Sequence, residues 1–141
     1  MLVARLVALI ESHADDLADR LVRKIREDPR TATYDVFDDD QLAARASDVY
    51  ANLGRWLGET SETPIENEYF LLGQTRLKEG IPLSQVVMAL LITRRNLWQF
   101  VDSQGADTIL ELRQQLDLEL LVVRFFDRAI YHTVRGYQAD A

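Results

Sequence analysis

Cysteine is absent from this chain of 141 residues, which excludes a disulfide framework and a thiolate metal site and suits a reducing cytoplasm. Glycine is scarce too. Its six residues are scattered singly, so no glycine-rich loop exists to cradle a phosphate. No apolar run is long enough to cross a bilayer, since the longest uncharged one, Ile81 to Thr93, falls short of the ~20 residues required. The start, Met1 to Leu6, carries neither the charged leader nor the cleavage site of a signal peptide. A soluble, cytoplasmic protein without membrane insertion is expected.

A basic surplus is also missing. The net charge is −7, and residues 1–70 hold all of it, with 8 Lys and Arg against 15 Asp and Glu; residues 71–141 have 8 of each. Neutralising phosphates with Lys and Arg supplies most nucleic-acid affinity. No nucleic-acid partner is therefore expected, and an anionic membrane surface is disfavoured for the same reason.

Groups that make or break bonds are as scarce. The two histidines, His13 and His132, stand in no Glu-x-x-His or His-x-x-x-His spacing, so the di-iron and zinc patterns fail. The acidic run Asp38-Asp39-Asp40 lacks the spacing and the glycine of a calcium loop and is better read as a helix cap. No serine occupies a Gly-x-Ser-x-Gly elbow, and no carboxylate pair is singled out as an acid/base couple. The expectation is no catalytic residue, no metal, no cofactor and no enzyme.

What the chain does have is apolar residues at helical spacing almost throughout. A first helix is expected over Leu2–Glu27, with Leu2, Leu6, Leu9, Ile10, His13, Leu17, Leu21 and Ile25 on one stripe and Pro29 as its stop. Residues 28–38 lack a period and are expected to form a loop pinned by Tyr34, Val36 and Phe37. Asp38 and Gln41 form a capping box for a second helix that ends near Gly58. Thr63-Pro64-Ile65-Glu66 forms another box and opens a third helix, which Gly80 closes. Pro82 opens a fourth helix and Gly105 ends it. A fifth runs from Asp107 to about Tyr137, roughly 46 Å at 1.5 Å per residue. A compact domain of this size is only roughly 37 Å across. Either this helix breaks near Gln114 to Asp117, or its last turns project toward a partner, and the second is the expectation. The fold class is all-α: one domain over 1–141, a bundle of about five helices, with no strand signal.

Three constellations stand out. His13 lies in the first apolar stripe, as a partly buried core histidine, a haem ligand or a proton sensor. Arg94 sits four residues after Leu90 and four before Trp98 on the core-facing side of the fourth helix. A guanidinium there needs a partner, either in an ion pair with Glu68 or Asp127 or as an anion-binding group. His132 adds a second imidazole near the end of the fifth helix. His13, Arg94, Trp98 and His132 are the candidate ligand residues. The third constellation is the fifth helix itself. Phe126, Ile130, Val134 and Tyr137 continue a stripe begun by Ile109, Leu112, Leu116, Leu120 and Val123, while Leu118, Leu121, Val122, Phe125 and Ala129 form a second apolar face. A helix apolar on two faces is central or shared with another subunit, which makes Phe126, Ile130, Val134 and Tyr137 candidate interface residues. Its charges run acidic (Asp107, Glu111, Asp117, Glu119) and then basic (Arg124, Arg128, Arg135). That order suits the helix dipole and would favour antiparallel self-pairing.

At residues 72–86, through Gly73, Arg76 and the run Gly80-Ile81-Pro82-Leu83, and again at 124–131, the chain resembles the RsbRD-type N-terminal domain family. This family is named for the RsbT co-antagonist proteins of bacterial stress signalling and is also found ahead of sensor kinases. The resemblance covers essentially the whole chain to Gly136-Tyr137. It implies an all-helical, globin-like sensory module without haem, often dimeric, which feeds a downstream kinase or STAS output domain. It brings no catalytic residues. No such output region occurs up to Ala141, which leaves open a stand-alone module or one part of a longer protein. The leading expectation is a homodimeric, cytoplasmic signal-transduction module that senses a small molecule or a partner. The alternatives are a haem- or small-molecule-binding globin-like protein and a purely structural dimerisation domain.

Overall fold

The computed structural model describes residues 3–58 and 61–139; Leu2 and Ala141 lie outside them. Every regular element among the described residues is helical. The first expected helix is two, α1 (Ala4–Ser12) and α2 (Ala14–Glu27). His13 divides them with φ −108° and ψ 18°, and its Nδ1 lies 2.8 Å from the Leu9 carbonyl oxygen. The apolar spacing continues through this break, so the break leaves no mark on the periodicity. Asp15 and Asp16 open α2 and Lys24 and Arg26 close it, each charge matched to its end of the dipole.

Asp28 is extended at φ −90° and ψ 119°, as a residue before proline must be, and α2 stops there. The expected loop is instead a 3₁₀ segment, Pro29–Val36. Thr31 and Tyr34 pin it from inside, whereas Val36 points outward. The Arg26 guanidinium closes its end by donating to the carbonyls of Tyr34 (2.8 Å) and Phe37 (2.5 Å). At its start the Asp28 carboxylate accepts from Arg30, which holds its pKa down to about 2.

Next come α3 (Asp39–Ala51) and the short α4 (Leu53–Gly58). Asp38 and Gln41 make the expected reciprocal box. Asn52, with φ −110° and ψ 18°, turns the chain as His13 does. The two breaks act together, letting α1 pack on α4 while α2 packs on α3. Glu11 of α1 ties the first pair by accepting from the Gly54 N–H (3.0 Å), its carboxylate at the positive end of α4.

Then follow α5 (Thr63–Lys78), α6 (Leu83–Ser103) and α7 (Ile109–Gln138). Gly80, at φ +77°, closes α5 with the paired bonds Gly80 N–H to Leu77 and Ile81 N–H to Arg76 that a left-handed glycine permits. The expected box at Thr63 does not form. Glu62 takes helical angles and becomes the cap position, because its carboxylate is engaged across the bundle by His132 and Arg128.

Two helix pairs, α2–α3 and α5–α7, sit on either side of α6. A buried polar knot joins α6 to the first pair. Asn96 donates to the Leu17 carbonyl (3.0 Å) and the Tyr50 hydroxyl (3.1 Å) and accepts from Lys24 (2.7 Å). Tyr50 in turn donates to the Thr93 carbonyl (3.0 Å). Loss of water pushes the Tyr50 pKa up, so the phenol stays a donor. The second pair meets backbone to backbone: a Cβ at Gly73 would stand 2.0 Å from the Thr133 carbonyl oxygen, and one at Gly136 2.0 Å from that of Phe70. α3 and α5 do not close on each other in this way. Between them lies a cavity of about 370 Å³.

Candidate functional site

The long α7 is continuous, with no break at Gln114 to Asp117. Thr108 caps it, its hydroxyl accepting from the Glu111 N–H at 3.1 Å. One face is core throughout the packed length, where Leu118, Val122, Phe125 and Ala129 are buried. Phe125 meets the rings of Trp56 and Tyr69 at 5.9 and 5.8 Å between centroids. The last turns are packed against α5 through Gly73 and Gly136, and the Tyr137 hydroxyl donates to the Ile81 carbonyl at 2.7 Å.

The projecting end is therefore the first, not the last. Ile109 is 87% exposed, Leu112 50%, Leu116 53% and Leu120 70%. At 100° per residue these four lie within about 80° of one another, on the side of α7 opposite its core face. Taking ~180 Å² for a fully exposed Leu or Ile, they present roughly 450 Å² of apolar surface, within the size range of functional patches. Just inside this end the buried Gln115 amide donates to the Gly105 carbonyl (2.7 Å), so the outer face is held on an anchored helix.

The candidate interface residues fall beyond this stretch. Phe126 is buried, while Ile130, Val134 and Tyr137 are half-buried. Phe126 stacks edge-on to Phe125 at 5.1 Å and also lines the cavity between α3 and α5.

The four candidate ligand residues do not converge, and none of them lines that cavity. His13 is exposed at the α1–α2 break, with its ring 5.4 Å from that of Phe100. Arg94 and Trp98 are half-buried on α6. No ion pair joins Arg94 to Glu68 or Asp127. His132 is buried, with Nε2 2.7 Å from Glu62 Oε2 and Nδ1 3.3 Å from Arg135 Nη1. Guanidinium nitrogens only donate, so Nδ1 is the acceptor and Nε2–H donates to Glu62. Both ring nitrogens are thus engaged. The imidazole serves as a clasp between the start of α5 and the end of α7.

The buried arginine of the bundle is Arg76, only 5% exposed. It donates to Glu79 (2.7 Å) and lies under the rings of Phe37 and Tyr34, 4.6 and 5.3 Å from their centroids. Its spacing gave a signal: Ile65, Tyr69, Gly73 and Arg76 follow one another by four, four and three along one helix face. The rings that cover it come from the 3₁₀ segment and the residue after it, about forty residues earlier in the chain, and no local pattern links the two.

No helix among the described residues is long and apolar enough to cross a membrane. No curated protein and no solved structure matches the chain. The family model for the RsbT co-antagonist protein rsbRD N-terminal domain matches residues 15–141, from the first turn of α2 onward. This chain belongs to that family, a family of signal-transduction regulatory domains.

Proposed function

We propose that the domain is a non-catalytic, cytoplasmic regulatory module of stress signalling that works as a homodimer and passes a signal to a downstream partner such as a kinase or a STAS output domain. The observation that carries this reading is the apolar outer face of α7, Ile109 to Leu120, opposite a fully packed core face. Single exposed leucines are ordinary on a protein surface, but four at helical spacing form a seam. A second copy of the chain is the occupant that suits it. Antiparallel pairing of two such seams sets Ile109 of one copy against Leu120 of the other and brings Asp107 of each toward Arg124 of its partner, opposite charges at both ends of the seam. Movement of α7 at such an interface is a recognised means of passing a change between subunits.

The test is the mass of the purified protein by light scattering. A dimer is expected for the native chain and a monomer for the double variant Leu116→Glu/Leu120→Glu. A monomeric native protein at high concentration, or a variant that still dimerises, overturns the assembly.

A further inference from the structure

We propose that the cavity between α3 and α5 binds a small apolar carboxylic acid, whose carboxylate is taken by Arg45 beside the buried Arg76. The site deepens the regulatory reading by giving the module a class of ligand, but it does not depend on the dimer.

The volume of about 370 Å³ lies in the range of small-molecule sites. Leu21, Leu42, Val86, Leu90 and Phe126 give it an apolar interior. Arg45 of α3, exposed, and Arg76 of α5, buried, bring two guanidiniums to its lining. Arg76 is fixed by Glu79 and by the rings of Tyr34 and Phe37, and its buried Nε has no hydrogen-bond partner. Arg45 has no ion-pair partner among the described residues. Its pKa is pushed down first by loss of water and then by the charge of Arg76. Two guanidiniums side by side, one of them unpaired, make a place where a carboxylate relieves both costs and can be held bidentately. Glu68 and Asp48 also line the cavity. Burial raises the pKa of Tyr69, and these two carboxylates add to the shift; Glu79 and Glu68 also act on Arg45 and oppose the fall in its pKa. The acid group enters toward Arg45 and the unpartnered buried Nε of Arg76, with its apolar body over Phe126. Phe126 belongs to α7, six residues after Leu120 of the outer face, so occupancy bears directly on the helix that carries the seam.

Calorimetric titration of the whole protein with octanoate and with 3-phenylpropanoate tests the site, with octanol and octylamine as the neutral and cationic controls. Both acids are expected to bind, octanol about tenfold more weakly for want of the charge-assisted bond, and octylamine not at all. Arg45→Gln, a change at the mouth, is expected to bring octanoate down to the level of octanol. Val49→Phe, which fills the cavity from α3, should remove binding of both. No heat from either acid, equal binding of acid and alcohol, preference for the amine, or octanoate binding unchanged in Arg45→Gln each overturns the proposal. Measuring mass on the same samples separates the two readings: a dimer that binds no acid sinks only the ligand site, and a monomer that binds it sinks only the assembly.

Discussion

The two halves of α7 carry the same kind of residue at the same spacing and meet different fates. In the second half the apolar residues are buried or half-buried except Tyr131, 61% exposed: Phe125 and Phe126 lie in an aromatic cluster with Trp56 and Tyr69, and the turns beyond them press on α5 through glycine. In the first half, Ile109, Leu112, Leu116 and Leu120 face outward while the opposite side is packed from Gln115 on. Apolar spacing says that a face wants cover. It does not say whether the cover comes from the same chain. Here it divides at about Leu120, and the division separates residues that hold the fold from residues left for a partner.

The largest effect that would sharpen this division is expected at Phe125. It is 2% exposed and in ring contact with three other aromatic residues. Phe125→Ala should lower the unfolding free energy by about 3–5 kcal/mol through lost burial and the cavity left behind. Urea titration followed by circular dichroism measures it, and a loss of under about 1 kcal/mol would mean that this half of the helix is not the packed one. Gly136→Ala comes next. The new methyl would meet backbone, the Phe70 carbonyl, which cannot rotate aside as a side chain can. Alanine's better helix propensity returns about 1 kcal/mol, but overpacking against a fixed backbone costs more, so a net loss of about 2 kcal/mol is expected. A variant as stable as the parent would show that α5 and α7 do not cross so closely.

Much of this architecture was legible in the chain where the determinant is local. The Asp38/Gln41 box, Pro29 as a stop, Gly80 in the left-handed region and the limits of α6 all depend on a few adjacent residues. Features set by distant residues were not legible. The break at His13 turns on a ψ of 18°, with no proline or glycine to announce it. The box at Thr63 fails because Glu62 is drawn to His132 and Arg128, some seventy residues away in the chain. Arg94 and Arg76 both sit at helical spacing from large apolar residues, yet only Arg76 is buried, because Tyr34 and Phe37 fold over it. For the same reason the interface candidates Phe126 to Tyr137 and the outward leucines could not be told apart until α5 was in place.

A smaller effect is expected at the end of the packed half. The Tyr137 hydroxyl donates to the Ile81 carbonyl just past the end of α5. Tyr137→Phe keeps the ring and removes that bond, leaving the carbonyl of the fully buried Ile81 without it. A loss of about 1 kcal/mol is expected, measured by the same urea titration. No loss would mean that the last turn is free to move, and the packed half would then end nearer Thr133.

The smallest effect belongs to the outer face and tests the comparison most directly. Leu116→Gln and Leu120→Gln replace side chains that are 53% and 70% exposed and lie within a helix where glutamine is nearly as favourable as leucine. At low protein concentration, where any dimer has dissociated, each should change the unfolding free energy by no more than about 0.5 kcal/mol. At high concentration the native chain gains stability from association by mass action and the variants do not, so the gap between native and variant should widen as protein is added. A gap that stays the same at every concentration would place these leucines inside the fold of a single chain. The first half of α7 would then be packed like the second.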